Sequence, residues 1–417
     1  MDILIIGGGI GGQTLALALH ATGKPWRIRV FDGAPTLQPL GVGINLQPHA
    51  IRELTNLGLQ QALREVAIEA KEFVFSTHNG QIVYREPCGL FAGYKYPHFS
   101  AHRGYLLMVL YGAAKERIGA ENIVTGQRCV GVEQSGAKAV AHFVDGKGAK
   151  LPSQEADIVI ACDGINSTVR KQFYPDEGPP KFHGINLWRG LTRAKPFLSG
   201  ASVTRIGGLF TTGKVVIYPI RNAIDEEGNQ LLNWNTEVVT DVHDAVDWNK
   251  PGKLEDFFPI FKDWSFPWLD MADIIKRNEL LLTYPMVDRD PVSRWTFDRV
   301  TLMGDAAHPV YPRGGNGGAQ AIIDATTIAR LLQSHDDPRD ALKAYEAERI
   351  PFTSKIVQAS RTQPPDILID TVERLTGGKR FDDLSKFISP EELQALAQGY
   401  LKIAGSDLDT VGRSVSG

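Results

Sequence analysis

One segment at the start of the chain restricts the fold more than any other. Residues 3–6 form a short apolar run, GGGIGG follows it, and QTLALALHATG then carries apolar side chains at helical spacing. A continuous apolar run is typical of a strand buried on both faces of a parallel sheet. A second such segment, RIRVFD, ends in Asp32, 20 residues after Gly12. This order predicts the first unit of a doubly wound α/β fold.

The glycines of this segment fill the G-x-G-x-x-G frame with Gly7, Gly9 and Gly12. The first glycine permits a tight turn, the second lets a pyrophosphate approach the backbone, and the third lets helix and strand pack closely. The helix N-terminus offers free N–H groups to phosphate. The Asp32 carboxylate can accept hydrogen bonds from ribose hydroxyls. The segment therefore predicts a bound adenine dinucleotide, and at this point both FAD and NAD remain possible.

Two later stretches favour FAD. Residues 154–170, QEADIVIACDGINSTVR, predict a buried strand that ends at Asp163. Residues 299–324, RVTLMGDAAHPVYPRGGNGGAQAIID, predict a third strand, then Asp305, a loop with little side-chain bulk, and a helix from about Gly318. Asp305 is placed to bind a ribityl chain, the loop can lie against a flat ring, and a helix N-terminus stabilises a reduced flavin. NAD has no ribityl chain for Asp305 to bind and does not need this second helix end. The loop is therefore predicted to be the binding surface for the isoalloxazine ring of a flavin.

These motifs resemble those of a known family. GGGIGG with Asp32, ACDGINSTVR, and GDAAHPVYPRGGNGGAQAIIDA occur in the order and approximate spacing of the single-component (class A) FAD-dependent aromatic hydroxylases. The resemblance covers about residues 1–360. LWRG at 187–190, NW at 233–234 and LLTYPMVDRDP at 281–291 are similar to the phenazine-carboxylate hydroxylase or salicylate hydroxylase-like branch.

The resemblance implies an α/β fold with a Rossmann-like FAD-binding domain, as in para-hydroxybenzoate hydroxylase, and an inserted mixed β-sheet domain for the substrate. Arg103 would contact the phosphate–ribityl region, and Gly41 and Gly43 would flank a flavin able to swing between two positions. The family loop usually reads G-Q-G, whereas this chain has Gly315-Asn316-Gly317. The expected cofactor contacts are Gly7, Gly9, Gly12, Asp32, Gly43, Arg103, Asp163, Gly164, Asp305, Gly315, Asn316 and Gly317.

The domain organisation follows from how apolar residues alternate along the chain. Two stretches, which include INLWRGLT and KVVIYPI, alternate like strands of a sheet with one covered face. Three others alternate between strand and helix patterns. We predict an FAD-binding domain at residues 1–72, 101–178 and 284–360, a substrate-binding sheet at 73–100 and 179–283, and a C-terminal helical segment and tail at 361–417.

The substrate sheet must supply a pocket over the flavin. The candidates for binding the substrate are Trp188, Arg189, Tyr218, Trp234, Tyr284 and Pro312. Each aromatic residue could equally belong to an ordinary core. Arg189 lies in an apolar strand pattern, so it must either form an internal salt bridge or contact an anionic substrate group or the flavin. No residue is assigned a certain catalytic role, and Arg189, Tyr218 and Pro312 are the candidates.

Two further polar residues have alternative interpretations. Arg170 falls in the first turn of a predicted helix, where acids are usual. It is predicted to be either a surface residue or an anion contact. His308 follows Asp305 closely and could be a base, but a structural role is favoured.

Charge and composition exclude other classes of function. The net charge is −3 and no long run of one sign occurs, so nothing predicts binding to nucleic acid or to an anionic membrane surface. The three cysteines have no C-x-x-C spacing, and no metal site is predicted. Apolar runs stay well short of the roughly 20 residues of a membrane span. The prediction is a cytoplasmic protein, either a monomer or a homodimer.

The resemblance also implies a reaction. NADH or NADPH would dock transiently and reduce FAD, O2 would add at flavin C4a, and the hydroperoxide would transfer oxygen to an aromatic or heteroaromatic ring. The substrate would be phenazine-carboxylate-like or phenolic, and loss of a carboxylate could accompany hydroxylation. The alternatives are a flavin-dependent reductase or oxidase without oxygen insertion, and a nucleotide-binding scaffold without redox function.

Overall fold

The computed structural model describes residues 1–241 and 250–413. The described strands are β1 (Asp2–Ile6), β2 (Arg27–Phe31), β3 (Gly43–Leu46), β4 (Ala67–Glu69), β5 (Glu72–Ser76), β6 (Ile82–Pro87), β7 (Phe99–His102), β8 (Ile123–Val124), β9 (Arg128–Ser135), β10 (Lys138–Val144), β11 (Lys150–Ala156), β12 (Ile158–Ala161), β13 (Lys181–Ala194), β14 (Ser202–Ile206), β15 (Lys214–Arg221), β16 (Gln230–Val239), β17 (Ser265–Phe266), β18 (Leu269–Asp270), β19 (Leu280–Asp288), β20 (Thr296–Phe297) and β21 (Val300–Leu302). The described α-helices are α1 (Ile10–Ala21), α2 (Pro48–Asn56), α3 (Gln60–Val66), α4 (Arg103–Ile118), α5 (Thr168–Phe173), α6 (Phe258–Phe261), α7 (Met271–Lys276), α8 (Gly317–Ser334), α9 (Pro338–Thr362), α10 (Ile367–Thr376), α11 (Pro390–Ile403) and α12 (Leu408–Val411).

The first layer is a six-stranded sheet in the order β20-β21-β12-β1-β2-β8. All its strands are parallel except β20, which pairs antiparallel with β21 at one edge. The apolar run of β1 is buried between its neighbours β12 and β2, as expected for a central parallel strand. Helices α1, α4 and α8 pack together beside this sheet. The predicted Rossmann-like α/β domain is confirmed.

The second layer is a seven-stranded mixed sheet in the order β19-β13-β16-β15-β14-β5-β6. Its pairs are antiparallel except β14 with β5, which run parallel. One face buries an aromatic cluster that includes Trp188, Trp234 and Phe257. The opposite face carries Arg189 and Tyr218 and meets the first domain at Gly43. The predicted mixed substrate sheet is confirmed as part of the fold.

The strand pairing in the structure is compatible with the predicted insertion, but it does not test the exact domain limits. Strands β5 and β6 join β13–β16 in one sheet, as an insertion at 73–100 and 179–283 requires. Strand β19 continues past the predicted limit at residue 284, so Tyr284 belongs to the substrate sheet. Residues 242–249 of the predicted insertion lie outside the described residues. The domain limits stay a prediction.

An amphipathic helix is suggested by NKPGKLEDFFPIFKDW, whose first residue lies outside the described part of the chain. From Lys250 onward the structure has a 3₁₀ turn at Leu254–Asp256 and the short helix α6. Pro259 lies in the first turn of α6, where its missing N–H costs no helical hydrogen bond. The predicted amphipathic helix after a turn is therefore present only as this 3₁₀ turn and the four residues of α6.

The C-terminal segment packs on both domains. The predicted helix ISPEELQALAQGYLKI is present as α11, which begins with a capping box between Ser389 and Glu392. The segment SDLDTVGRSVSG is predicted to be a loose tail. It contains α12, and the backbone of Arg413 forms an isolated antiparallel β-bridge with that of Tyr94. Its last four residues lie outside the described chain. None of the described helices is both long and apolar enough to cross a membrane.

Candidate functional site

A cavity of about 610 Å³ lies at the carboxyl ends of β1, β12 and β21. Ligands of open α/β sheets bind at this edge. Most of the predicted cofactor contacts line the cavity, namely Gly7, Gly9, Asp32, Arg103, Asp163, Gly164, Asp305 and Gly317. The remaining predicted contacts, which do not line it, are Gly12, Gly43, Gly315 and Asn316.

The glycine turn between β1 and α1 brings backbone to the cavity wall. Gly7 has a φ of +101°, and a Cβ atom there would lie 2.4 Å from the carbonyl oxygen of Cys162. A Cβ atom on Gly12 would lie 1.9 Å from the carbonyl oxygen of Gly7, so only glycine lets α1 pack this closely against the turn. Gly9 precedes α1, and no side chain caps the helix. The first N–H groups of α1 are therefore left for a ligand such as a phosphate.

Asp32 stands at the end of β2 with its carboxylate already oriented. One oxygen accepts a 2.7 Å hydrogen bond from the N–H of Gly8, and the other accepts one of 2.7 Å from Ala34. No described cation forms a salt bridge with it. A carboxylate has about four lone-pair positions, so acceptor capacity remains for ribose hydroxyls. The predicted ribose contact stays a prediction.

Three charged side chains at the cavity lack sufficient partners in the protein. Asp163 Oδ2 accepts from the N–H of Thr168 at 2.8 Å, whereas Oδ1 is buried without a partner, and burial raises the pKa of Asp163. The carboxylate of Asp305 and the guanidinium of Arg103 line the cavity without a described hydrogen-bond partner. Carboxylates accept from hydroxyl groups and guanidinium binds phosphate. These residues fit the ribityl chain and pyrophosphate of FAD.

The predicted flavin loop, PRGGNGG at residues 312–318, only partly lines the cavity. Gly317 and Gly318, the first residues of α8, line it. Asn316 is buried, and its Nδ2 donates to the hydroxyl of Tyr400 at 3.1 Å. Gly315 lies beside Asn45 and Gln47 instead of the cavity. Gly315 and the Asn316 side chain therefore have neighbours in β3, in the segment after it and in α11, and their contact with the cofactor stays a prediction.

His308 belongs to a buried ionic cluster behind the cavity. Its Nε2 lies 2.5 Å from Asp324 Oδ2, and Asp324 Oδ1 accepts from Arg349 Nε at 2.7 Å. The carboxylate also accepts from the N–H of Gly304 at 3.0 Å. These contacts connect α8 and α9 to the turn that carries Asp305. The favoured structural role of His308 agrees with this placement.

Arg170 fits neither of its two interpretations. Its side chain is about 1% exposed and forms a salt bridge with Glu177. Its Nη1 donates to the carbonyl oxygens of Ala306 and Ala307 at 3.0 and 2.6 Å. Arg170 is therefore not a surface residue, and its donors are occupied by protein acceptors. It fixes α5 to the turn after β21.

Arg189 is the main polar group on the inner face of the substrate sheet. Its guanidinium donates to the hydroxyl of Tyr284 at 2.6 Å, to Asn235 Oδ1 at 3.2 Å and to the carbonyl oxygen of Gly43 at 2.5 Å. No carboxylate of the described residues forms a salt bridge with it. Tyr218 lies beside it, and burial raises the pKa of Tyr218 to about 12. The predicted internal salt bridge is absent from the described residues, which leaves a positive charge facing inward.

Gly43 joins the cofactor domain to this sheet. Its N–H donates to Asn233 Oδ1 at 2.7 Å, and its carbonyl oxygen accepts from Arg189. Both backbone groups of one glycine in β3 are therefore satisfied by side chains of the other domain. Gly43 contacts the substrate sheet, while the next residue, Ile44, lines the cofactor cavity, so a direct contact of Gly43 with the cofactor stays a prediction.

Two predicted substrate contacts lie on the wrong face of the sheet. Trp188 stacks on Phe257 with ring centroids 4.9 Å apart, and the indole N–H of Trp234 donates to Thr192 at 3.0 Å. Successive residues of a strand point to opposite faces, so Trp188 points away from the side of Arg189. The prediction that Trp188 and Trp234 line the substrate pocket is corrected, because both belong to the aromatic core. Pro312 is exposed in the loop after Tyr311.

Arg205 was not predicted. Cross-strand pairing places it in one row with Val216, Asn235 and Arg189, so its side chain shares their face. Its guanidinium lies 5.2 Å from the ring centres of both Phe73 and Phe75, and no described residue accepts a hydrogen bond from it. The signal was available in SVTRI, a short β pattern with a single charge, and is the same signal that pointed to Arg189.

Comparison with known proteins agrees with this geometry. The model of a family described as FAD binding domain matches residues 1–198 and 283–360. A phenazine 1,6-dicarboxylic acid hydroxylase of Lysobacter antibioticus is 42% identical over 377 residues, which cover 89% of this chain and 91% of the relative. A 3-amino-4-hydroxybenzoate 2-monooxygenase of Streptomyces platensis is 30% identical over 371 residues, 86% of each chain.

Solved structures show the same fold at lower identity. HpxO of Klebsiella pneumoniae, complexed with FAD and uric acid, matches with a TM-score of 0.72 at 21% identity over 99% of this chain and 96% of that one. A 2,6-dihydroxypyridine-3-hydroxylase of Arthrobacter nicotinovorans matches with a TM-score of 0.69 at 22% identity over 91% and 94%. The prediction of an FAD-dependent aromatic hydroxylase is confirmed. The chain belongs to the FAD binding domain family, and FAD is its cofactor.

Proposed function

We propose that the protein hydroxylates an aromatic carboxylic acid, with O2 as oxygen donor and NADH or NADPH as a transiently bound reductant. The observation that carries the proposal is Arg189, whose inward-facing guanidinium has neutral partners but no carboxylate among the described residues. A buried unpaired charge is costly, and an anionic ligand offsets that cost. Arg189 therefore supports an acid as substrate.

Arg205 adds to this argument because it is a second guanidinium on the same face without a described acceptor. The guanidinium lies over the rings of Phe73 and Phe75 in cation–π contact. Burial lowers the pKa of Arg205, while the carboxylates of Asp366, Glu86 and Glu237 act to raise it, so they compensate part of its charge. A neutral aromatic substrate would leave the charge of Arg189 uncompensated.

The ring system of the substrate is inferred from relatives. The relative with 42% identity is named for a phenazine dicarboxylic acid, and more distant ones are named for hydroxybenzoates and 6-hydroxynicotinate. We infer a fused, phenazine-carboxylate-like ring as the first candidate and phenolic acids as the second. Loss of the carboxylate during hydroxylation stays a prediction, as does a cytoplasmic location.

When bound, FAD would supply the redox chemistry by which electrons from NAD(P)H reduce O2, so that one oxygen atom enters the ring and the other leaves as water. The chain itself would bind, orient and enclose the substrate. Arg189 would hold an anionic group by charge-assisted hydrogen bonds. Tyr218 would remain a protonated hydrogen-bond donor at all ordinary pH values, since its pKa is about 12. Gly7, Gly9, Asp163, Asp305 and Arg103 would hold the cofactor, as their free polar groups and close backbone approach allow.

The test is oxidation of NADH and NADPH under air by the purified flavoprotein, with product mass and H2O2 measured together. The panel should pair phenazine-1-carboxylate and phenazine-1,6-dicarboxylate with unsubstituted phenazine, and 3-hydroxybenzoate with phenol. We expect an acid to accelerate oxidation and gain one oxygen atom, and its carboxylate-free partner to be inactive. Faster oxidation that yields only H2O2 or a reduced substrate would favour the reductase or oxidase alternative. Equal turnover of acid and neutral partner would refute the role of Arg189.

A further inference from the structure

Tyr400, on α11 near the C-terminus, contacts the predicted flavin loop at residues 312–318. Its side chain is about 2% exposed. Its hydroxyl accepts from Asn316 Nδ2 at 3.1 Å, and it lies 3.3 Å from the carbonyl oxygen of Arg313 and 3.1 Å from Ser360 Oγ. One buried phenol therefore contacts both the backbone and a side chain of this loop.

The loop backbone follows the shape of the Tyr400 ring. Gly314 has a φ of +91°, and a Cβ atom there would lie 2.4 Å from the ring atom Cε1. The C-terminal segment holds the loop at a second point, because Arg313 of the loop donates to Asp366 of that segment at 2.8 Å. Lys214 of the substrate sheet donates to the same carboxylate at 3.0 Å. The loop is thus held between the C-terminal segment and the cofactor cavity.

Asn316 occupies the N-cap position of α8, where asparagine is one of the residues that most often bond the first N–H groups of a helix. Here its side chain makes no such bond: the backbone of Asn316 is helical (φ −95°, ψ −21°), whereas a capping residue is extended, and Nδ2 donates to Tyr400 and to the Gly314 carbonyl oxygen. The first residues of α8, Gly317 and Gly318, line the cofactor cavity. The N–H groups of this first turn consequently remain available to the cavity.

We propose that Tyr400 is a positioning residue for the bound flavin, which acts by keeping the Asn316 side chain away from the N-terminus of α8. Free N–H groups and the positive end of the helix dipole attract electron-rich groups that lie close to the helix end. Without the Tyr400 hydroxyl, which bonds both the Asn316 side chain and the Arg313 carbonyl oxygen, Asn316 can turn into the extended conformation of a capping residue and accept from the first N–H groups of α8 through Oδ1. The helix end is then lost to the flavin. The proposal rests on the location of FAD in the cavity and does not depend on which substrate is hydroxylated.

The first variant is Tyr400→Phe, which keeps the ring under Gly314 and removes the hydroxyl. The matched control is Tyr94→Phe, because the Tyr94 hydroxyl also bonds the C-terminal segment, at the Ser406 carbonyl oxygen (3.0 Å), but far from the loop in sequence and contacts. We expect Tyr400→Phe to weaken FAD binding about tenfold, the loss of one well-placed hydrogen bond. The absorption spectrum of the bound flavin should change and its reduction potential should become more negative. Tyr94→Phe should alter none of these.

The decisive measurement is the double variant Tyr400→Phe/Asn316→Ala. Alanine cannot cap α8, so FAD affinity and the flavin potential should recover most of the loss seen in Tyr400→Phe. A further loss in the double variant would show that Tyr400 only supports the fold, and unchanged FAD affinity and spectrum in Tyr400→Phe would overturn the proposal outright.

If Tyr400→Phe does not accumulate as folded protein, Gly314→Ala gives an independent test, since it pushes the loop off the ring while α11 stays intact. We expect it too to weaken FAD binding at least about tenfold. Wild-type FAD affinity in this variant would contradict the proposal. All these measurements are made on the flavoprotein without substrate. They therefore test the role of Tyr400 even if the protein hydroxylates no aromatic acid.

Discussion

The cofactor cavity and the inner face of the substrate sheet adjoin at Gly43, yet they are built from different parts of the chain. The cavity owes its shape to backbone: Gly7 and Gly12 let strand, turn and helix approach more closely than any Cβ atom allows. The sheet face owes its character to side chains, above all Arg189 and Arg205. Substitution should therefore harm the cavity by adding atoms and the sheet by removing charge.

The largest effect is expected at Gly12, where even a methyl group overlaps the carbonyl oxygen of Gly7. Gly12→Val should abolish FAD binding, a loss of more than about 4 kcal/mol, measured as flavin content and by titration with FAD. Gly112→Ala is the matched control, because Gly112 lies in α4 outside the cavity and a Cβ atom there meets nothing within 4 Å. It should retain most of the affinity. Stoichiometric FAD in Gly12→Val would show that the turn can accommodate a larger side chain. It would contradict the claim that added atoms are what harms the cavity.

The next effect concerns charge removal on the sheet. Arg189→Met should raise KM for the aromatic acid about a hundredfold, as expected for loss of one partner of a buried ion pair, while FAD affinity changes by less than about fivefold. Trp188→Phe, one residue away but on the opposite face, should leave KM unchanged and lower only thermal stability. Steady-state kinetics with product quantification decide this. An equal rise in KM for both variants would contradict the assignment of faces.

A smaller effect tests a charge of the same sheet that is already paired. Burial acts to raise the pKa of Glu72, but hydrogen bonds from Arg85 and Ser202 outweigh it and lower the pKa to about 2. Because the folded-state pKa is depressed, its stabilising effect is present above about pH 4.5 and is lost as pH falls towards 2.

Glu72→Gln should accordingly lower the free energy of unfolding by about 1–2 kcal/mol at pH 6, after allowing for the exposure of Arg85, and by much less at pH 3. Urea denaturation at both pH values measures the difference. Glu255→Gln, at an exposed position, is the control and should show no effect at either pH. A pH-independent effect of Glu72→Gln would mean that packing, not charge, holds this edge of the sheet.

The smallest effect is expected at Tyr218. Tyr218→Phe should raise KM for the acid about fivefold, the usual scale for one neutral hydrogen bond, with unchanged FAD affinity. Its pKa of about 12 means that the hydroxyl does not titrate below pH 9, so the pH profiles of variant and wild type should be parallel. A profile that changes shape in the variant would assign Tyr218 a role in proton transfer.

The same contrast explains what could be predicted from the sequence. The cavity follows from spacing, because strand, Gly7, Gly12 and Asp32 lie close together in the chain and each has one geometric role. On the sheet, LWRG is apolar on both sides of Arg189, since both faces are covered. Which face meets the cofactor domain is set by pairing between β13, β16 and β15, and this pairing is not encoded locally.

Long-range contacts account for the other differences. Asn316 occurs in a glycine-rich loop that predicts a cofactor contact, but its partner Tyr400 lies 84 residues further along the chain. Arg170 has the pattern of an anion contact, but its acceptors Ala306 and Ala307 come from the other end of the domain. No local pattern encodes such pairings.

The two hydrogen bonds of Gly43 have a thermodynamic consequence. Its N–H and carbonyl oxygen are both bound by the substrate sheet, through Asn233 and Arg189, whereas the strand itself belongs to the cofactor domain. A ligand that binds the Arg189 guanidinium therefore acts, through this hydrogen bond, on a residue next to the flavin cavity. Binding free energies are reciprocal between sites. Whatever factor the acid adds to the affinity for FAD, FAD must add to the affinity for the acid.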